Sequence, residues 1–121
     1  MRPRKRASTA ATSECESTTG KRSGAYSTGA GYDVHPFQLL NFNGAYDDVS
    51  TLAHESGHSM HSWYSNKNQK FLNAHYSIFV AEVASTLNEA LLMQHMLRST
   101  RDPKQRLFLL AALDHPGEDG D

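Results

Sequence analysis

The chain has a single cysteine, Cys15, so no internal disulfide can form and a reducing, cytoplasmic setting is the expectation. No apolar run approaches the roughly 18 residues needed to span a bilayer. The longest, Leu107 to Leu113, reads instead as part of a buried helix. The basic start, Arg2-Pro3-Arg4-Lys5-Arg6, is followed by no apolar stretch, which argues against a secretory signal. Charge of one sign is also lacking: the formal net charge is −1. That gives no reason to expect nucleic acid or an anionic membrane as a partner. Apolar residues make up only 38% of the 121 positions, low for a self-sufficient core in what amounts to one small domain.

Organisation follows from what remains. Residues 1–20 are rich in Ser, Thr and Arg without hydrophobic periodicity and read as a disordered leader. Residues 21–113 form the candidate folded segment, and 114–121 turn acidic and Gly-rich, which suits a disordered tail. Glycines around Tyr26 and Tyr32 suggest a loop. Val34 to Phe42 suits a short strand, which Pro36 assigns to an edge. Asp47 is a natural N-cap for a helix from about Asp48 to Tyr64, with Val49, Leu52, Ala53, Met60 and Trp63 near one apolar face. A polar loop, Ser65 to Gln69, precedes a second helix over Tyr76 to Leu97. There the apolar residues Ile78, Phe79, Val83, Leu87, Ala90 and Leu91 alternate at helical spacing with a polar stripe of Glu82, Ser85, Thr86 and Glu89. Asp102 and Pro103 open a third helix running to about Leu113. The chain is therefore expected to be mainly α, with one short edge strand or hairpin.

The chemistry lies in His54-Glu55-Ser56-Gly57-His58, an H-E-x-x-H arrangement. At about 100° per residue, His58 stands roughly 40° from His54 and His61 roughly 20° away on the other side. Two imidazoles on one helical face can bind a single zinc ion, and the adjacent Glu55 can act as general base on metal-activated water. A solvated histidine pair or a wet helix face would each account for one of these features singly, but not for their combination. Gly57 leaves room for a neighbouring helix to come close.

A catalytic zinc site needs a third protein ligand and an open position. The metzincin pattern would require Gly at 61 and His at 64, where this chain has His61 and Tyr64. His61 lies on the right stripe, but three ligands from one straight helix span about 10 Å of rise. It fits better beside the site, as a hydrogen-bonding or substrate-contacting group. A carboxylate from the second helix solves the geometry. Glu82 is preferred, since a carboxylate within Phe79-Val80-Ala81-Glu82-Val83-Ala84 is costly unless paired with charge or metal. Glu89 is the rival ligand, or a partner that orients a histidine. His35, His75 and His95 lack a metal-like partner nearby in sequence.

Further blocks make a resemblance specific: Lys21 to Tyr26, Val34-His35-Pro36, Leu39 to Gly44, Leu52 to Ser65, and Phe79 to Thr86. Together they resemble oligoendopeptidase F, of the thimet-oligopeptidase-like zinc peptidases, over its central catalytic segment. The resemblance implies His54, His58 and Glu82 as ligands of one zinc ion and Glu55 as catalytic base. It also implies a zincin-like fragment of a larger helical peptidase domain, with two metal-binding helices and a small sheet near the metal. The expected activity is zinc-dependent metalloendopeptidase hydrolysis of oligopeptides, with short peptides as substrates. The alternative is a truncated, non-catalytic zinc-binding helical piece. The strand around Gln38 to Phe42 is expected to align an extended peptide.

Overall fold

A computed structural model describes residues 12–16, 20, 24–29, 31–32 and 34–114. Strands β1 (Thr12–Glu16), β2 (Tyr26–Thr28) and β3 (Phe37–Phe42) precede helices α1 (Tyr46–Asn68), α2 (Ile78–Ser99) and α3 (Pro103–Asp114). A 3₁₀ turn, Phe71–Asn73, lies between α1 and α2. The chain is mainly α, as expected, and the small sheet has the order β1-β3-β2.

The sheet corrects three expectations. Thr12–Glu16, within the segment expected to be disordered, pairs in parallel with β3, while residues 1–11 and 17–19 lie outside those described. Strand pairing uses backbone groups, so β1 needs no hydrophobic period of its own to find its place. The glycine-punctuated stretch contains β2, antiparallel to β3. Strand β3 is therefore central, not an edge. Pro36 immediately precedes Phe37, the first residue of the ladder, so its missing N–H costs no sheet hydrogen bond. Of the expected tail, Asp114 is the last residue of α3 and residues 115–121 lie outside those described.

Gly44, with φ +90°, turns the chain from β3 into α1. Helix α1 begins earlier than expected, with Ala45 rather than Asp47 as N-cap. The Asp48 carboxylate reaches back to accept from the backbone N–H groups of Asn43 (2.8 Å) and Ala45 (2.9 Å). Those hydrogen bonds hold its pKa below the usual carboxylate value. At the other end, α1 runs a turn beyond Tyr64. Its last turn is tied down by Ser65 Oγ donating to the Ala74 carbonyl (2.7 Å) and Asn66 Nδ2 to the Gly31 carbonyl (3.5 Å). Local polarity suggested a loop there, and these tertiary bonds favour helix instead.

The buried residues of α1 are Glu55, Gly57 and Ser59, and Met60 is exposed. The buried residues of α2 are Ala81, Ser85 and Met93. On α2 the expected apolar side points outward, with Ile78, Phe79, Val83, Leu87 and Leu91 all exposed. The reason is close packing. A Cβ on Gly57 would lie 2.6 Å from the Ala84 carbonyl oxygen and 2.7 Å from Ser85 Cα. Only small residues fit such a crossing, so the stripe carrying Ala81 and Ser85 meets α1 and brings Glu82 and Glu89 with it. Asn88 Nδ2 donates to the Ala53 carbonyl (2.6 Å) across the same contact. On its other side α1 meets the sheet. The buried Gln38 donates to Ser59 Oγ (2.7 Å), and Ser59 shares a 2.8 Å hydrogen bond with Ser27 Oγ of β2.

Candidate metal centre

His54 and His58 stand one turn apart on α1, and their Nε2 atoms face each other at 3.1 Å. From α2, Glu82 Oε2 lies 3.4 Å from His54 Nε2, and Oε1 lies 3.7 Å from His58 Nε2. Around a tetrahedral ion bound at about 2.0–2.1 Å, donor atoms sit about 3.3–3.4 Å apart. The three separations bracket that value. Among the described residues, His54, His58 and Glu82 are the group of His, Cys, Asp and Glu side chains arranged to hold a metal ion.

The surroundings suit a cation as well. His54 Nδ1 is hydrogen-bonded to Glu89 Oε1, so the Nδ1 proton points at a carboxylate and a lone pair is left on Nε2. Ser85, fully buried, donates to Glu82 Oε2 (2.8 Å) and to the Glu82 carbonyl (3.0 Å), which limits the swing of that carboxylate. A nitrogen lone pair and a carboxylate confined this closely repel one another unless positive charge lies between them. The donor set, two imidazoles and one carboxylate, is a known zinc combination.

Glu55 is 7% exposed, and among the described residues no cationic side chain pairs with it. A buried carboxylate without charge nearby is costly. A cation at the neighbouring histidines would offset that cost. His61 is not part of the donor cluster: its ring stacks on Tyr76 at 4.0 Å between centroids and 18° between planes. Its Nδ1 is buried without a hydrogen-bond partner. Ser85, Asn88 and Gln38 support the site through hydrogen bonds that sequence reading assigns to none of them. A polar residue on the metal-facing stripe of α2, or inside an apolar strand, was the available signal.

Comparisons with known proteins show the family to which the chain belongs. The model of Peptidase family M3 matches residues 12–115. The chain belongs to peptidase family M3. Oligopeptidase PepF of Bacillus subtilis is 53% identical over 91 residues, covering 75% of this chain and 13% of the relative. The plasmid-encoded oligoendopeptidase F of Lactococcus lactis subsp. cremoris is 48% identical over 97 residues, covering 80% of this chain and 16% of its own length. A crystal structure from Chlamydophila abortus, described as that of a candidate peptidase, superposes with a TM-score of 0.79 at 50% identity. It covers 84% of this chain and 17% of the crystallised one. The resemblance to oligoendopeptidase F is thus borne out. This M3 chain spans only 13–17% of the length of the proteins named here.

Proposed function

We propose that the chain carries the centre of a zinc-dependent endopeptidase that hydrolyses peptide bonds in oligopeptides. His54, His58 and Glu82 hold one zinc ion, and Glu55 is the general base. The supporting observation is that side-chain donors from two helices lie close together, with His54, His58 and Glu82 atoms 3.1, 3.4 and 3.7 Å apart in pairs. When bound there, zinc would supply the Lewis acidity that acidifies water and polarises a carbonyl. Glu55 accepts a proton from the attacking water and passes it to the departing amine. Glu89 keeps His54 in the tautomer that offers Nε2, and Ser85 fixes the Glu82 carboxylate.

Peptide alignment falls to a different strand from the one expected. Both edges of β3 are paired, whereas β2 is the end strand of the sheet and lies against the Ser59 side of α1. An extended peptide adds more readily to β2. His61 acts beside the centre through Tyr76 rather than as a ligand. No helix among the described residues is long and apolar enough to cross a membrane. Peptide substrates in a cytoplasmic setting match the single cysteine.

The test combines metal analysis with cleavage of a quenched fluorescent oligopeptide. One zinc per chain and chelator-sensitive cleavage are expected. Glu55→Gln is expected to lower turnover by about 10² to 10⁴-fold with zinc content unchanged. Cleavage that survives the chelator would overturn the mechanism. The alternative of a non-catalytic zinc-binding piece predicts bound zinc with no cleavage at all. The peptidase names of the relatives lend that alternative no support.

A further inference from the structure

A ring of polar contacts joins the sheet to α1. Gln38 of β3 is 7% exposed and lies two residues from Leu40, itself buried, so both occupy the covered face of the strand. The Gln38 Nε2 donates to Ser59 Oγ (2.7 Å) and to Ser56 Oγ (3.4 Å) on α1. Ser59 Oγ is also hydrogen-bonded to Ser27 Oγ of β2 (2.8 Å), and Ser27 is the residue paired with Gln38 across the two strands. Ser27, Gln38 and Ser59 therefore close a circuit through β2, β3 and α1.

An amide at an apolar strand position is costly to bury unless its hydrogen bonds are met. What it supplies here is orientation. The buried residues of α1 are Glu55, Gly57 and Ser59, with no large apolar side chain among them. An apolar contact tolerates sliding, whereas a donor and its acceptors tolerate little. At about 100° per residue, Ser59 stands about 40° and Ser56 about 100° around α1 from Glu55, on the side away from His54 and His58. Glu55 thus lies between the histidine face and the face that Gln38 grips. Gly57 and Asn88 set the histidines against Glu82, on the side of α1 opposite Ser59. The height of β2 over Glu55 falls to the serine and glutamine contacts.

Resting on the peptidase reading above and its use of β2, we infer that Gln38 is a positioning residue. It holds the strand to which a peptide adds at the distance from Glu55 and the histidines where the bond to be cut meets the attacking water. A shift of about 1 Å in such an alignment can lower turnover by about 10²-fold.

The test compares, in the full zinc-loaded chain, Gln38→Met with Gln38→Met combined with Ser59→Ala. Methionine keeps the bulk and loses the donor. Gln38→Met is expected to lower kcat for a quenched fluorescent oligopeptide by about 10 to 100-fold, with KM and zinc content unchanged. Adding Ser59→Ala is expected to recover the urea midpoint, because a hydroxyl that has lost its partner is removed, but not kcat. A residue that only stabilises the fold would leave kcat per zinc-loaded chain unchanged, or let kcat recover with stability. Either result would overturn the inference. Should Gln38→Met not fold, the kcat of the double variant decides. An unmodified chain that binds zinc and cuts nothing counts against the peptidase reading, and the alignment is then read without turnover. For that, Co²⁺ replaces zinc in Glu55→Gln chains with and without Gln38→Met. Paramagnetic broadening of the NMR signals of a bound oligopeptide reports its distance from the metal. Gln38→Met is expected to weaken that broadening about twofold or more through a shift of about 1 Å, with peptide affinity unchanged. Equal broadening overturns the inference, and a chain that binds no peptide overturns it together with the peptidase reading.

Discussion

Both ring nitrogens of His54 are in use, one facing His58 and Glu82 and the other held by Glu89. This arrangement separates two carboxylates that the sequence presents as rivals on one stripe. They differ by seven residues, two helical turns, so α2 sets them against opposite sides of the same imidazole. Glu82 reaches the shared point and Glu89 the far nitrogen. Their substitutions should therefore differ in kind. Glu89→Gln is expected to weaken zinc binding by about 10 to 100-fold, read by competition with a chromophoric chelator. Glu82→Ala should abolish stoichiometric zinc altogether. Equal losses for the two variants would contradict this division of labour.

At the scale of elements, the contact between α1 and α2 decides whether the donors meet. Gly57 sits where the helices come closest, against backbone atoms of Ala84 and Ser85 that cannot swing aside. Gly57→Ala is expected to destabilise the fold by about 1–3 kcal/mol, measured by urea denaturation. It should also push Glu82 away from the histidines and weaken zinc binding. A variant with unchanged stability and unchanged zinc affinity would show that the crossing is looser than described. The helix spans themselves were nearly legible beforehand. Asp102 and Pro103 mark the start of α3, where Asp102 Oδ1 accepts from the Lys104 N–H (3.1 Å), and periodicity located α2 to within two residues. Those signals are local. Periodicity separates the apolar side of α2 from its carboxylate stripe, and the stripe faces α1 as the metal geometry required. The close crossing at Gly57, which admits only small residues, is the physical reason.

At the scale of the whole molecule, the apolar side of α2 is open to solvent. Phe79, Val83, Leu87 and Leu91 recur at intervals of four residues and form an apolar ridge along the outside of α2, with Phe79 78% exposed. Ridges of this kind drive association in water. The chain alone is expected to self-associate with increasing concentration in sedimentation velocity runs. The double substitution Leu87→Lys, Leu91→Lys should shift it towards monomer while leaving zinc content intact. A chain that stays monomeric at high concentration would contradict this. The sequence by itself determined the helices, the histidine pair on one face and the presence of a carboxylate stripe on the following helix. Each of these depends on spacing along the chain and on local capping. Only the tertiary structure decided which carboxylate faces which nitrogen, that β3 lies inside the sheet, and that the apolar side of α2 points outward. Those outcomes depend on backbone approach and strand pairing between residues far apart in sequence, which no local pattern encodes.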